Sequence, residues 1–264
     1  MAVNHWIELL ARFGYAAKGL LYLIVGLLAM PVALGIGSNA TGTSDALEII
    51  VTQPFGKLLL SAIALGLVGY ALWRFIQAFI DPEHRGTDAK RVVQRLGYTL
   101  SSVSYAGLAF TAVQFVVGSG SNDSNWRQDW TARLLAQPFG QWLVGIVGVL
   151  VLGVGVSYLY TAFTAKFRER LHLAQMSTAQ VKWATRIGRF GIAARGIAFG
   201  VIGLLLIQAA LQSDADEAQG LGGALQTLAE EPLGRGILGA ISVGLVAYAM
   251  HMLVLARYRQ ILSR

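Results

Sequence analysis

Two cations stand inside apolar runs, Lys18 and Arg195. Each lies six residues past an arginine, in Arg12-Phe13-Gly14-Tyr15-Ala16-Ala17-Lys18-Gly19 and in Arg189-Phe190-Gly191-Ile192-Ala193-Ala194-Arg195-Gly196. A charged side chain at the centre of a lipid-crossing helix costs about 2.5–3.5 kcal/mol on the insertion scale. Two chemistries can offset that cost. The long stem can snorkel the charge to the headgroups, or the charge can bind an anion, such as a lipid head or an anionic substrate. Snorkelling is the expectation for Lys18, Arg195 and also Arg74. The sharper alternative is an anion site at the inner face that also draws on Arg12, Arg95 and Arg189.

Other reactive constellations are missing from the chain. It has no cysteine, so no thiolate nucleophile, disulfide or cysteine-held metal. His5, His84, His172 and His251 are scattered without ligand spacing. His251 aligns with Trp73 in the repeat described below, which favours packing over proton relay. No G-x-S-x-G elbow or Walker A motif occurs. Gly35-Ile36-Gly37-Ser38-Asn39-Ala40 formally reads G-x-G-x-x-A, but no strand precedes it. No carboxylate falls deep in an apolar run, which disfavours an acidic proton relay. The expectation is no enzyme, no cofactor and no metal.

The elements that position the two cations form a repeat. The opening motif returns in worn form as Arg95-Leu96-Gly97-Tyr98-Thr99-Leu100-Ser101-Ser102, with Ser101 in place of the cation. Gln53-Pro54-Phe55-Gly56 returns as Gln137-Pro138-Phe139-Gly140 and Glu231-Pro232-Leu233-Gly234. Arg12, Arg95 and Arg189 recur at nearly the same spacing as Pro54, Pro138 and Pro232, so two independent landmarks define one period. Gly14, Gly97 and Gly191 mark the same place in each copy. The copies span about 10–80, 93–165 and 187–258.

With 55% hydrophobic and only 13% charged residues, the chain calls for lipid as its solvent. Six runs are long enough to cross, at about 13–35, 55–79, 96–117, 139–163, 190–211 and 233–257. Pro31 is expected to kink or end the first, and Pro54 to open the second within its first turn. Short pieces between paired spans should lie at the interface: Asp45–Gln53, with Asp45 as N-cap, and the segment holding Trp126 and Trp130. The fold class is therefore all-α: a polytopic membrane helical bundle, residues 1–264 as a single transmembrane domain. Its six spans form three two-helix repeats with short interfacial helices. Hairpins that all enter from one side should pack about a pseudo-threefold axis along the membrane normal, unlike inverted repeats.

Charge sets the orientation. Seventeen of the 21 Lys and Arg fall with the termini, the two inter-hairpin connectors and the span ends facing them. Nine of the 14 acids fall with the loops inside the hairpins. The positive-inside rule then puts both termini in the cytoplasm. The net charge of +7 reads as topology and affinity for anionic lipid, not as a nucleic-acid footprint. Glycines spaced four apart suit close helix packing, with homo-oligomer formation as the alternative use.

The paired motifs R-F-G-x-A-A-[KR]-G and Q-P-F-G, in three copies, resemble a bacterial membrane family described as a domain of unknown function (number 1206). The resemblance runs from about Leu10 to Arg257. It implies a multi-pass protein of the bacterial inner membrane and supplies no activity. Three readings follow. The leading one is a non-enzymatic scaffold or accessory protein. The alternatives are a small-solute or ion transporter with a path near the axis, and a protein that binds anionic lipid.

Overall fold

The computed structural model describes residues 2–36, 42–79, 89–118, 126–214, 221–230 and 234–259. Among these residues the elements are α1 (Ala2–Ala33), α2 (Thr43–Thr52), α3 (Gly56–Phe79), α4 (Ala89–Val117), α5 (Trp126–Leu135), α6 (Gly140–Thr164), α7 (Thr178–Gln212), α8 (Leu221–Glu230) and α9 (Gly234–Tyr258). Two 3-10 turns, Lys166–Arg170 and Leu173–Gln175, lie between α6 and α7. Six helices hold a stretch long and apolar enough to cross a bilayer: α1, α3, α4, α6, α7 and α9. They coincide with the six expected spans to within a few residues at most ends.

Three spans are longer than the apolar pattern suggested, α4 by the seven residues from Ala89 and the other two by more. α1 already begins at Ala2, and α7 begins at Thr178. The start of α7 follows from a capping box. Ser177 Oγ accepts from the Gln180 amide at 3.3 Å, and the Gln180 side chain accepts from the Ser177 amide at 2.9 Å. Pro31 neither stops nor breaks α1, which runs on to Ala33. Two residues before the C-terminal end, it removes little of the hydrogen-bond ladder.

Each hairpin carries a short helix between its spans, and in the first two that helix turns sharply into the second span. Asp45 is not the N-cap of α2. That place is held by Gly42, and Asp45 stands at the third helical position, accepting from the Gly42 amide at 2.8 Å. Pro54 and Pro138 precede their spans rather than sitting in the first helical turn. Gly56 donates its amide to Gln53 O at 2.8 Å, and Gly140 to Gln137 O at 2.9 Å, which puts each proline at the second position of a tight turn. A Cβ on Gly56 would come 2.0 Å from Ile50 O, and one on Gly140 1.6 Å from Leu134 O. Only glycine fits there, which explains the last letter of Q-P-F-G. Pro232, the loop 37–41 and the connector 80–88 lie outside the described residues.

The six spans are neighbours in the order α4, α3, α1, α9, α7, α6. All three contacts between successive hairpins are present (α3 with α4, α6 with α7, α9 with α1), and they are equivalent in detail. Gly19 would press a Cβ on Ala249 O at 3.1 Å, and Gly196 on Gly155 O at 2.9 Å. At the same place in the worn copy, Ser102 Oγ donates to Ala71 O at 3.0 Å. The opening arginines repeat the pattern at the end of the bundle that carries the connectors. Arg12 donates to the carbonyl of Arg257 and, at 3.0 Å, to that of Ala256; Arg189 donates to Phe163 O at 3.3 Å. Each thus satisfies carbonyls at the C-terminus of the preceding hairpin's second span. The expected pseudo-threefold relation holds for these interfaces.

Contacts within hairpins break it. In the first, Gly14 lies on the Tyr70 backbone and Gly66 on Ala17; in the third, Gly191 lies on Tyr248 and Gly244 on Ala194. The second hairpin is not zipped. α4 and α6 share no substantial contact, and a Cβ on Gly97 or Gly153 would meet nothing within 4 Å. Sequence supplies the reason. Leu100 and Leu150 replace the Ala17/Gly66 pair, and two leucines do not fit where alanine meets glycine. The ring of six helices therefore has one open seam, between α4 and α6.

Candidate functional site

The two sequence-flagged cations meet inside the bundle. Lys18 is 2% exposed and Arg195 4% exposed, so neither snorkels. The reason is local. The glycine one turn before each cation and the alanine just before it pull the second span of its own hairpin close, and that span presents a tyrosine. Lys18 Nζ donates to Tyr70 Oη at 2.8 Å. Arg195 donates to Tyr248 Oη at 2.7 Å, in the equivalent place.

Aromatic faces complete the enclosure. Lys18 Nζ lies 4.4 Å from the Tyr70 ring centre and 4.7 Å from that of Tyr105. The Arg195 guanidinium lies 4.7–5.2 Å from the rings of Tyr22, Tyr158, Phe199 and Tyr248. Arg195 also donates to Tyr105 Oη at 3.3 Å. Tyr70 and Tyr105 meet edge to face at 4.6 Å, and Tyr22 and Tyr248 at 5.1 Å. A desolvated cation–ring contact contributes up to about 2 kcal/mol. Several such contacts offset the cost of placing a cation at this depth.

Two more cations flank the pair toward the connector end. Arg74 is half-buried and donates to Tyr70 Oη at 2.9 Å and to Gln77 Oε1 at 3.0 Å. Arg259, 1% exposed, hydrogen-bonds Tyr15 Oη and lies 5.9 Å from the Trp73 ring. Backbone pairing holds it there. Leu171 bridges antiparallel to Arg259, and the His172 amide donates to Tyr258 O at 2.8 Å. His251 packs edge-on against Phe167 at 4.9 Å, as its alignment with Trp73 suggested.

Among the described residues neither Lys18 nor Arg195 pairs with a carboxylate, and Arg195 Nε is a buried donor with no hydrogen-bond partner. Trp73 Nε1 is a second such donor. A buried N–H left unmade costs about 1–3 kcal/mol. Donors of positive sign, desolvated and incompletely satisfied, suit an anion with several acceptor oxygens. No group of His, Asp and Glu that could hold a metal occurs among the described residues.

The five candidate contacts thus separate into two levels. Lys18 and Arg195 come together. Arg12 and Arg189 sit about 9 Å away along their helices, occupied with carbonyls. Arg95 is half-buried on α4 at the equivalent level. The tyrosines were not picked out from sequence, because they come from five spans and share no common motif. One signal was available. Tyr22 and Tyr105, and Tyr70 and Tyr248, occupy equivalent places in their copies.

No solved structure matches the chain. The uncharacterized protein YxxB of Bacillus subtilis (strain 168) is 35% identical over 254 residues, covering 96% of this chain and 92% of that protein. Residues 13–81, 96–165 and 190–259 each match the family described as Domain of Unknown Function (DUF1206), so the chain belongs to that family, as three consecutive copies of its two-span unit.

Proposed function

We propose that this is a non-enzymatic accessory protein of the bacterial inner membrane, with both termini in the cytoplasm, that binds an anionic, phosphate-bearing group. The observation behind this reading is the pair Lys18 and Arg195. They are buried together, held by tyrosine hydroxyls and aromatic rings, with one Arg195 donor unmade. Tyrosine hydroxyls and ring faces hold the Arg195 guanidinium without neutralising it, which leaves its charge for a ligand. The basic connectors support the orientation, since they would face the anionic cytoplasmic leaflet. The transport reading draws less support, because Tyr70, Tyr105 and Tyr248 close around the two cations. A ligand that binds only the folded protein stabilises it by mass action, by about 2.7 kcal/mol at a hundred times its dissociation constant. The test is thermal unfolding of purified protein in zwitterionic detergent. Phosphatidylglycerol should raise the melting temperature by several degrees where phosphatidylcholine does not. Equal responses to both lipids would refute the proposal. Inorganic phosphate as a third arm distinguishes a free anion from a lipid head.

A further inference from the structure

We infer that the seam between α4 and α6 is a lateral port for a lipid. Its acyl chains would lie between the two helices, and its anionic head would reach Arg195. The inference rests on the anion-binding reading above and names both the ligand class and its route.

The seam is an interface that the other hairpins close. Gly97 and Gly153 stand where Gly14 and Gly69 stand in the first hairpin, and those two glycines touch the Tyr70 backbone and Leu10 O. In the second hairpin both face open space. The walls are lipid-accessible and mostly apolar, and Ser104 on α4 turns its hydroxyl back to Leu100 O at 2.9 Å. Leu100 is 45% exposed on α4; Leu150 is 58% exposed and Val147 41% on α6. Only 17% of the apolar window of either helix is buried, against 44–56% for the other four spans. A gap with such walls, between two spans at the depth of the hydrocarbon layer, suits acyl chains.

The cation cluster lies directly behind. Arg195, on α7, is the group that touches both walls: it donates to Tyr105 on α4 and stacks on Tyr158 of α6. The two tyrosines and the guanidinium therefore close the back of the seam. Arg195 Nε, buried and without a hydrogen-bond partner, belongs to this same closing group. Phosphate is the complement of a guanidinium with an unmade donor. A free anion would have to cross lipid to use this route, whereas a lipid head arrives with its chains already in the gap.

The absence of cysteine makes the test direct. Ser104 and Val147 take the places of Leu21 and Ile63, both buried in the first hairpin, and are exposed here. A Ser104→Cys/Val147→Cys variant is stripped of lipid and sealed with a short bismaleimide containing a reducible disulfide. It is then exposed to phosphatidylglycerol vesicles and read by native mass spectrometry. The expected result is loss of retained lipid on sealing and its return on reduction. Protein loaded first and sealed afterwards should keep its lipid through washing. Single-cysteine variants treated identically should load normally, and the return on reduction excludes damage to the fold. Unchanged loading of the sealed protein would overturn the port and leave the anion site standing. Failure of the open protein to retain phosphatidylglycerol, while phosphatidylcholine behaves the same, would overturn both.

Discussion

Gly14 lies so close to Tyr70 that a Cβ on the glycine would come 2.7 Å from the tyrosine amide nitrogen. Lys18, one turn further along α1, donates to the hydroxyl of that same tyrosine. Close approach and charge burial are thus one arrangement. The glycine brings the α3 backbone in, and the tyrosine on that backbone receives the cation. Gly191, Tyr248 and Arg195 repeat it in the third hairpin.

The three opening glycines should therefore respond differently to alanine. Gly14→Ala and Gly191→Ala force backbone apart and should cost about 1–3 kcal/mol, as overpacked cores do. Gly97→Ala meets nothing within 4 Å and should gain up to about 1 kcal/mol from helix propensity alone. Melting in detergent checks the order Gly97→Ala above the native protein, above the other two. A loss at Gly97→Ala equal to theirs would mean that the seam is closed.

Lys18→Met separates stability from binding. Tyr70 Oη keeps its donor from Arg74, so no acceptor is abandoned. Removing one of two like charges buried together should stabilise the ligand-free protein by about 1 kcal/mol, as apolar replacement of buried ions often does. The same variant should lose most of the added stability conferred by phosphatidylglycerol. Measured together, the two melting curves move in opposite directions. A purely structural lysine would lower both.

Much of this was legible in the sequence, for a physical reason. Crossing helices must be long and apolar, so the spans follow from composition, and a repeated chain repeats its landmarks. Buried pairing was less legible. Lys18 looked able to snorkel because its six-residue depth is within reach of a lysine stem. What holds it in place is Tyr70, 52 residues away on another helix, and no local pattern announces that partner. The open seam was legible in principle, since Leu100 and Leu150 depart from Ala17 and Gly66, but the meaning of that departure appears only once the zipped hairpins show what the small residues touch.

Orientation is checked with single cysteines. Ser213→Cys lies just past α7, at the loop end, and Gln175→Cys in the basic connector; both positions are exposed. A membrane-impermeant maleimide applied to intact cells should label the first and reach the second only after lysis. The reverse pattern would place the termini outside and remove the anionic cytoplasmic leaflet from the argument.

Restoring the small residues should zip the second hairpin. Leu100→Ala with Leu150→Gly recreates the Ala17/Gly66 contact, and Gly97 and Gly153 already supply the remaining room. Helices packed through small residues approach to about 8 Å, the short end of the usual range. Spin labels at positions 104 and 147 should therefore report a shorter distance in this variant than in the otherwise native protein. The four unaltered spans should keep their packing, because every contact between successive hairpins is untouched. If the seam admits lipid, closing it should also slow the rise in melting temperature after phosphatidylglycerol is added, with Lys18 and Arg195 both still present. Unchanged label distances would show that Leu100 and Leu150 are not what holds α4 and α6 apart. The cause would then lie elsewhere, with Ser101 and Val154, which replace the cation and the tyrosine, as the next pair to exchange.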